Sequence, residues 1–212
     1  MKLPFTAQQF FDVFVQYNQS VWPAQIILNL AALAAIVYLF YRRSYSGRLI
    51  SGTLALLWAW TGIIYHLIFF MEINKAALVF GIIFLFGSGA FLWAGVIKNR
   101  LHYDTTNFSQ RILGAGLIGF GLIIYPLLSW KFGHSYPAMP TFGLPCPTTI
   151  FTIGILCFLC KPYPRYVWLA PVLWSVIGSQ AAFLLGVYQD LGLLVAGIIG
   201  LLSIIRHRRN YL

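Results

Sequence analysis

The chain has 212 residues, of which 60% are hydrophobic and only 8% charged, with a mean hydropathy of +0.81. A water-facing domain carries about 25% charged residues, so this composition excludes a soluble globular protein and points to an integral membrane protein. The net charge of +10 would suggest nucleic acid in a soluble chain; here the basic residues lie in short loops beside apolar runs, where they act as topology signals rather than as a nucleic-acid surface.

The opening stretch MKLPFTAQQFFDVFVQYNQS has neither the apolar core nor the small-residue cleavage site of a signal peptide, and it is expected to be retained. Within this arm, residues 1–21, Thr6 and Gln9 have capping-box spacing. Phe10, Phe14 and Tyr17 recur on one helical face, with Phe11 and Val15 beside it. The pattern predicts an amphipathic helix. Two settings suit it: flat on the outer membrane surface, or packed over the mouth of a bundle.

Seven apolar segments follow, at about 22–41, 49–71, 76–97, 112–130, 146–160, 166–188 and 191–205, in a single domain covering 1–212. A spanning helix needs roughly 20 residues. The fifth and seventh segments are short, and the fifth reaches full length only if TFGLP is included. A re-entrant fifth segment is the alternative, since irregular backbone is tolerated at membrane depth where protein buries it.

Eleven of the fourteen Lys and Arg fall in alternate loops: Arg42, Arg43 and Arg48; Lys98, Arg100 and Arg111; Lys161 and Arg165; and Arg206, Arg208 and Arg209. Lys2, Lys75 and Lys131 lie on the other side. The predicted fold is therefore an all-α, seven-transmembrane-helix bundle with the N-terminus outside and the C-terminus cytoplasmic.

Trp22 and Trp130 suit an outer interface belt, and Trp93, Tyr41 and Trp168 an inner one. Trp58, Trp60 and Trp174 fall deeper, where an indole N–H needs an acceptor. Small residues four apart (Ala31 and Ala35, Ala115 and Gly119, Ser175 and Ser179, Ala196 and Gly200) mark close helix contacts. GAGLIGFG at 114–121 contains GxGxxG, but it follows no strand and lies inside a span, so it reads as packing.

Ionisable groups at membrane depth are functional candidates. His66, in GIIYHLIFF, is the clear one, roughly 7–8 Å below the outer end of its span. Asp12, Glu72 and Asp190 are expected in outer loops, and Asp104 in an inner one. The outward loop GHSYPAMPTFGLPCPTT, 133–149, adds His134, Tyr136, Met139, Cys146, Thr148 and Thr149, on the same side as Tyr65 and His66.

His66, His134, Met139 and Cys146 offer soft ligands suited to copper, zinc or mercury, although their spacing matches no tight ligand motif. The alternatives are a ligand-binding lid or a loop stiffened by Pro137, Pro140, Pro145 and Pro147. Cys157 and Cys160 are three apart and would be neighbours on a helix. Asn18, Gln25, Asn29, Asn74 and Gln180 suit interhelical hydrogen bonds. Hydrolase, protease and P-loop patterns are absent, as are the deep Lys of a retinal site and the paired His of a b-type haem. An enzyme is not the expectation.

Three stretches, LPFTAQQFFDVFVQYNQSVWPAQ, YHLIFFMEINKAA and GHSYPAMPTFGLPCPTTIFTIG, resemble an uncharacterised bacterial multi-pass membrane protein family, domain of unknown function 6064. The resemblance covers most of the chain. It implies a bacterial inner-membrane location and brings no assigned activity.

The expectation is a multi-pass protein in the lipid bilayer. Its outward-facing pocket, lined by Tyr65, His66, His134, Tyr136, Met139, Cys146, Thr148 and Thr149, would bind or transport a small solute or soft metal ion. The alternative is a non-transporting scaffold or accessory subunit that docks a protein partner, or a second copy, through its outer arm and loop. A third class is a membrane enzyme with Cys146 as nucleophile and His66 or His134 as base, which requires a hydrogen bond between them.

Overall fold

A computed structural model describes residues 3–41 and 43–209. Lys2 and Arg42, which enter the charge count, lie outside the described residues. Among those described, the chain is helical, with two isolated bridges in place of strands.

Eight helices follow in order among the described residues. They are α1 (Ala7–Ser20), α2 (Ala24–Phe40), α3 (Ser46–Glu72), α4 (Ala77–Ile97), α5 (Phe108–Lys131), α6 (Pro145–Leu156), α7 (Arg165–Leu184) and α8 (Leu191–Arg209). Helices α3, α4 and α5, the run Arg165–Leu184, and the run Tyr188–Ile205 that holds most of α8 are each long and apolar enough to cross a bilayer. Taken together, α1 and α2 make a sixth candidate, bent by 87°. The structure thus provides five or six helices of spanning length. The fifth predicted segment departs from expectation, because the helix there, Pro145–Leu156, is only 12 residues long.

The membrane setting is visible on the surface. On α2, Leu28, Ala32, Ala35 and Leu39 face inward, while Ile26, Ile27, Leu30, Leu33 and Val37 are exposed. Each such side chain left in water forfeits about 1.5–3 kcal/mol relative to burial. The other candidate spans expose similar rows, so lipid is the medium that suits them.

Helix α6 is the centre of the bundle. It packs against α5, α7 and α8 and also touches α3, and Cys146 is its one residue that is not fully buried. Close approach to α5 depends on glycine at both partners. A Cβ on Gly154 would lie 2.9 Å from the Gly114 carbonyl oxygen, and one on Gly121 would lie 2.9 Å from that of Pro147. The GxGxxG stretch therefore packs helices, as expected, but through Gly114 and Gly121. The Ala115–Gly119 pair points away: Ala115 is exposed, and a Cβ on Gly119 would meet nothing within 4 Å.

Of the stretch TFGLP only Pro145 is helical; residues 141–144 enter the bundle as irregular, largely buried backbone. The Gly143 carbonyl accepts from Thr61 Oγ1 at 3.0 Å. Gly143 has φ +100°, and a Cβ there would press on Leu28, so only glycine suits the turn. Burial in protein is the condition under which irregular backbone is tolerated at depth. At the other end, α6 stops at Leu156, and the chain joins the 102–104 loop. Asp104 N donates to Phe158 O and Cys160 N to His102 O, each at 2.8 Å. Cys157 and Cys160 consequently do not share a helical face, contrary to the sequence expectation.

Of the expected belt residues, Trp22, Trp130, Trp93 and Tyr41 are exposed, but Trp168 is 1% exposed and belongs to the core. Two deep indoles find acceptors: Trp58 Nε1 donates to Thr152 Oγ1 at 2.9 Å, and Trp60 Nε1 to Tyr17 Oη at 2.8 Å.

Candidate functional site

Helix α1 begins with the capping box read from the sequence. Gln9 N donates to Thr6 Oγ1, and Thr6 N to Gln9 Oε1. Its aromatic face is buried against the bundle. Phe10 stacks edge-on with Phe70, and Tyr17 with Tyr65 and Phe69. Of the two settings that suited the arm, the packed one describes this face.

Beneath α1 lies a cavity of about 140 Å³. Phe10 and Phe14 come from α1, Tyr65, His66 and Phe70 from α3, and Phe80 from α4. Tyr125, Cys146, Trp174 and Asp190 complete the polar part of the lining. The half-exposed or exposed Leu3, Asn74, Gln180 and Leu184 also border it. Two features of local backbone bring these groups together. Tyr65 and His66 sit in a π-helical stretch, Thr61–Phe69, and Tyr125 directly follows another, Phe120–Ile124. A π turn adds a residue to the helical turn and re-aims the side chains after it, which is why such turns recur at functional sites.

His66 is fully buried, and neither of its ring nitrogens has a hydrogen-bond partner. Aromatic rings surround it, with Phe84 and Trp174 both at 4.9 Å between centroids. Trp174 Nε1 is also buried without a partner at hydrogen-bond geometry. A buried polar group left unpaired costs about 1–3 kcal/mol. Two such side chains on one cavity are the feature that separates this place from the rest of the bundle.

Asp190 departs from expectation. It precedes α8 at a loop, yet it is 1% exposed, and Tyr125 Oη donates to its Oδ1 at 2.6 Å. The Cys146 thiol interacts with Asp190, Tyr125 and Trp174, and among the described residues no cation acts on the carboxylate. His66 makes no hydrogen bond to Cys146, so the couple that a Cys–His enzyme requires is not formed.

The remaining candidates lie elsewhere. His134 stacks on Phe11, with centroids 3.9 Å apart and planes at 13°. Tyr136 is exposed, and its hydroxyl donates to the Asn18 carbonyl at 3.2 Å. Met139 is held through its backbone, whose carbonyl accepts from Asn18 Nδ2 at 2.8 Å. Thr148 and Thr149 are fully buried in α6, and their hydroxyls lack partners, but they do not line the cavity. Tyr65, His66 and Cys146 are thus brought together; His134, Tyr136, Met139, Thr148 and Thr149 are not. No cluster of three or more His, Cys, Asp or Glu able to share a metal ion exists among the described residues.

The 136–141 loop is fastened to α1 chiefly through the side chain of Asn18. Asn18 Nδ2 donates to the carbonyls of Pro137 and Met139 at 2.7 and 2.8 Å, and Asn18 Oδ1 accepts from Thr141 Oγ1 at 2.7 Å. Gln25 Nε2 donates to the Asn18 carbonyl at 2.9 Å. Asn18 read as one polar residue among several in the sequence. The missed cavity residues are Tyr125, Trp174 and Asp190. The rarity of acids, four in the chain, was the available signal for the last.

Among known proteins, the model of a family described as Family of unknown function (DUF6064) matches residues 7–211. The chain belongs to this family. The match spans α1 to α8, so α1 and the cavity lining apart from Leu3 and Phe5 lie within the DUF6064 region. No curated protein and no solved structure shows significant similarity to the chain.

Proposed function

We propose that this DUF6064 member is a bacterial inner-membrane protein that binds a small organic solute in the cavity beneath α1, entering from the outer face, as a carrier or receptor for it. The observation that carries the reading is the pair of buried, unpartnered groups, His66 and Trp174 Nε1, on an otherwise aromatic cavity. Concave, mostly apolar sites with a few convergent polar groups are the usual form of small-molecule sites.

Seven crossings with the N-terminus outside suit the helix order. Helix α6 and its irregular lead-in would together make the fifth crossing. Arg43, Arg48, Lys98, Arg100, Arg111, Lys161 and Arg165 then share a side with the end of α8, opposite Lys75 and Lys131. An organic solute is favoured over a soft metal ion because His134 and Met139 lie away from His66 and Cys146. The docking alternative has less support, because the aromatic face of the arm is buried against the bundle.

The test is a thermal-shift panel of small neutral, cationic and anionic solutes on the detergent-purified full chain and on Ala181→Phe. Ala181 lines the cavity, and the added ring fills it. At least one solute should raise the melting temperature of the parent and not of the variant. No response from any solute, or equal responses in both proteins, would refute the reading.

A further inference from the structure

The binding reading leaves the chemical class of the solute open, and the lining narrows it. We propose that the solute is a small organic cation, held by its ammonium head between the aromatic walls and Asp190; this rests on the cavity being a solute site. Three independent features converge. The first is the carboxylate. Asp190 is 1% exposed in a chain with four acids, and among the described residues it receives hydrogen bonds and no compensating cation. Buried charges in membrane proteins are paired or mark the path of a charged substrate.

The second is the wall. Phe10, Phe14, Tyr65, Phe70 and Phe80 line the same cavity, and they pack in both modes, with Tyr65 and Phe80 each stacked on Phe70 at 10° and 17° and other pairs edge-to-face. Phe10 and Phe14 meet at 66° with centroids 4.7 Å apart, and Phe80 and Trp174 at 74° and 5.4 Å. Ring faces that open onto such a space are the surface that recognises ammonium groups.

The third is the acceptor. Neutral imidazole has one donor and one acceptor nitrogen, and both nitrogens of His66 are free of protein partners. Its acceptor suits an N–H or hydroxyl of the guest. The Trp174 donor is directed at the Cys146 thiol and so does not oppose a cation. The volume of about 140 Å³ is close to that of an apolar cavity of ~150 Å³ known to take benzene. A trimethylammonium or a short primary amine fits within that size.

Choline and its carbon isostere, in which a tert-butyl group replaces trimethylammonium, test the charge alone. Binding to the full chain is measured by calorimetry or thermal shift. Choline should bind about tenfold tighter, the ratio expected of a desolvated cation–π and carboxylate site. Asp190→Asn should remove most of that preference and leave the isostere unchanged. Should Asp190→Asn fail to fold, Phe80→Leu serves instead, and it should likewise weaken choline selectively.

Equal or tighter binding of the isostere would overturn the cation assignment and leave the solute site standing. Failure of both probes while other panel members bind would do the same. Failure of every panel member would overturn the assignment together with the binding reading beneath it.

Discussion

The 133–144 loop and the cavity beneath α1 are both unusual, and they are unusual in opposite ways. The loop is rich in polar and soft side chains, but its polar groups are largely paired within the protein. Asn18 takes up the carbonyls of Pro137 and Met139 and the Thr141 hydroxyl, and His134 lies flat on Phe11. The cavity has few polar groups, but two of them, His66 and Trp174, are buried without partners. A paired polar group reports on how a structure is held together. An unpaired one on a cavity wall is open to a guest that would offset its cost of about 1–3 kcal/mol, whereas the unpaired hydroxyls of Thr148 and Thr149 face no cavity.

On the proposed reading the loop is a stability element and the cavity a binding element, and mutations should separate the two. Asn18→Ala should have the largest effect on folding. It strands two carbonyls and a hydroxyl, so the loss should be about 3 kcal/mol or more, read from unfolding of the detergent-purified protein. A loss below about 1 kcal/mol would mean that the loop is fastened elsewhere. His134→Ala removes only a stacked pair and should cost about 1 kcal/mol. The ligand response should be unaltered in that variant. A lost response would return the loop to the site.

Much of the fold was legible because lipid imposes long apolar runs. The helices α2, α3, α4, α5, α7 and α8 all fall on segments that hydropathy marks, and the Thr6–Gln9 box marks the start of α1. The fifth segment was harder. Its lead-in, TFGLP, is apolar enough to extend a helix on paper, but Gly143 needs a positive φ, and Pro145 and Pro147 favour a helix start. Hydropathy counts apolar residues and is blind to that difference.

The site was legible only in part, and for a related reason. His66 stood out because an ionisable residue in an apolar run is rare. Asp190 was assigned to an outer loop by its position in sequence, and it does close the short turn, Tyr188–Asp190, that leads into α8. What the sequence does not carry is that Tyr125, placed just after a π-helical stretch, reaches it from another helix. Trp168 and Trp174 look alike in sequence, yet the first is a core residue and the second lines the cavity. Proximity in sequence likewise favoured His134, Met139 and Cys146 as one group, whereas folding sends only Cys146 to the cavity.

The most direct test of the division between loop and cavity is His66→Leu, measured for stability and for the response to the solutes that stabilise the parent. Leucine is close in volume to histidine and removes two unpaired nitrogens. Stability should therefore be unchanged or raised by up to about 1 kcal/mol, while the solute response falls at least tenfold. A variant that unfolds as readily as Asn18→Ala yet binds solute as well as the parent would contradict the account, because His66 would then be holding the bundle together rather than facing a guest.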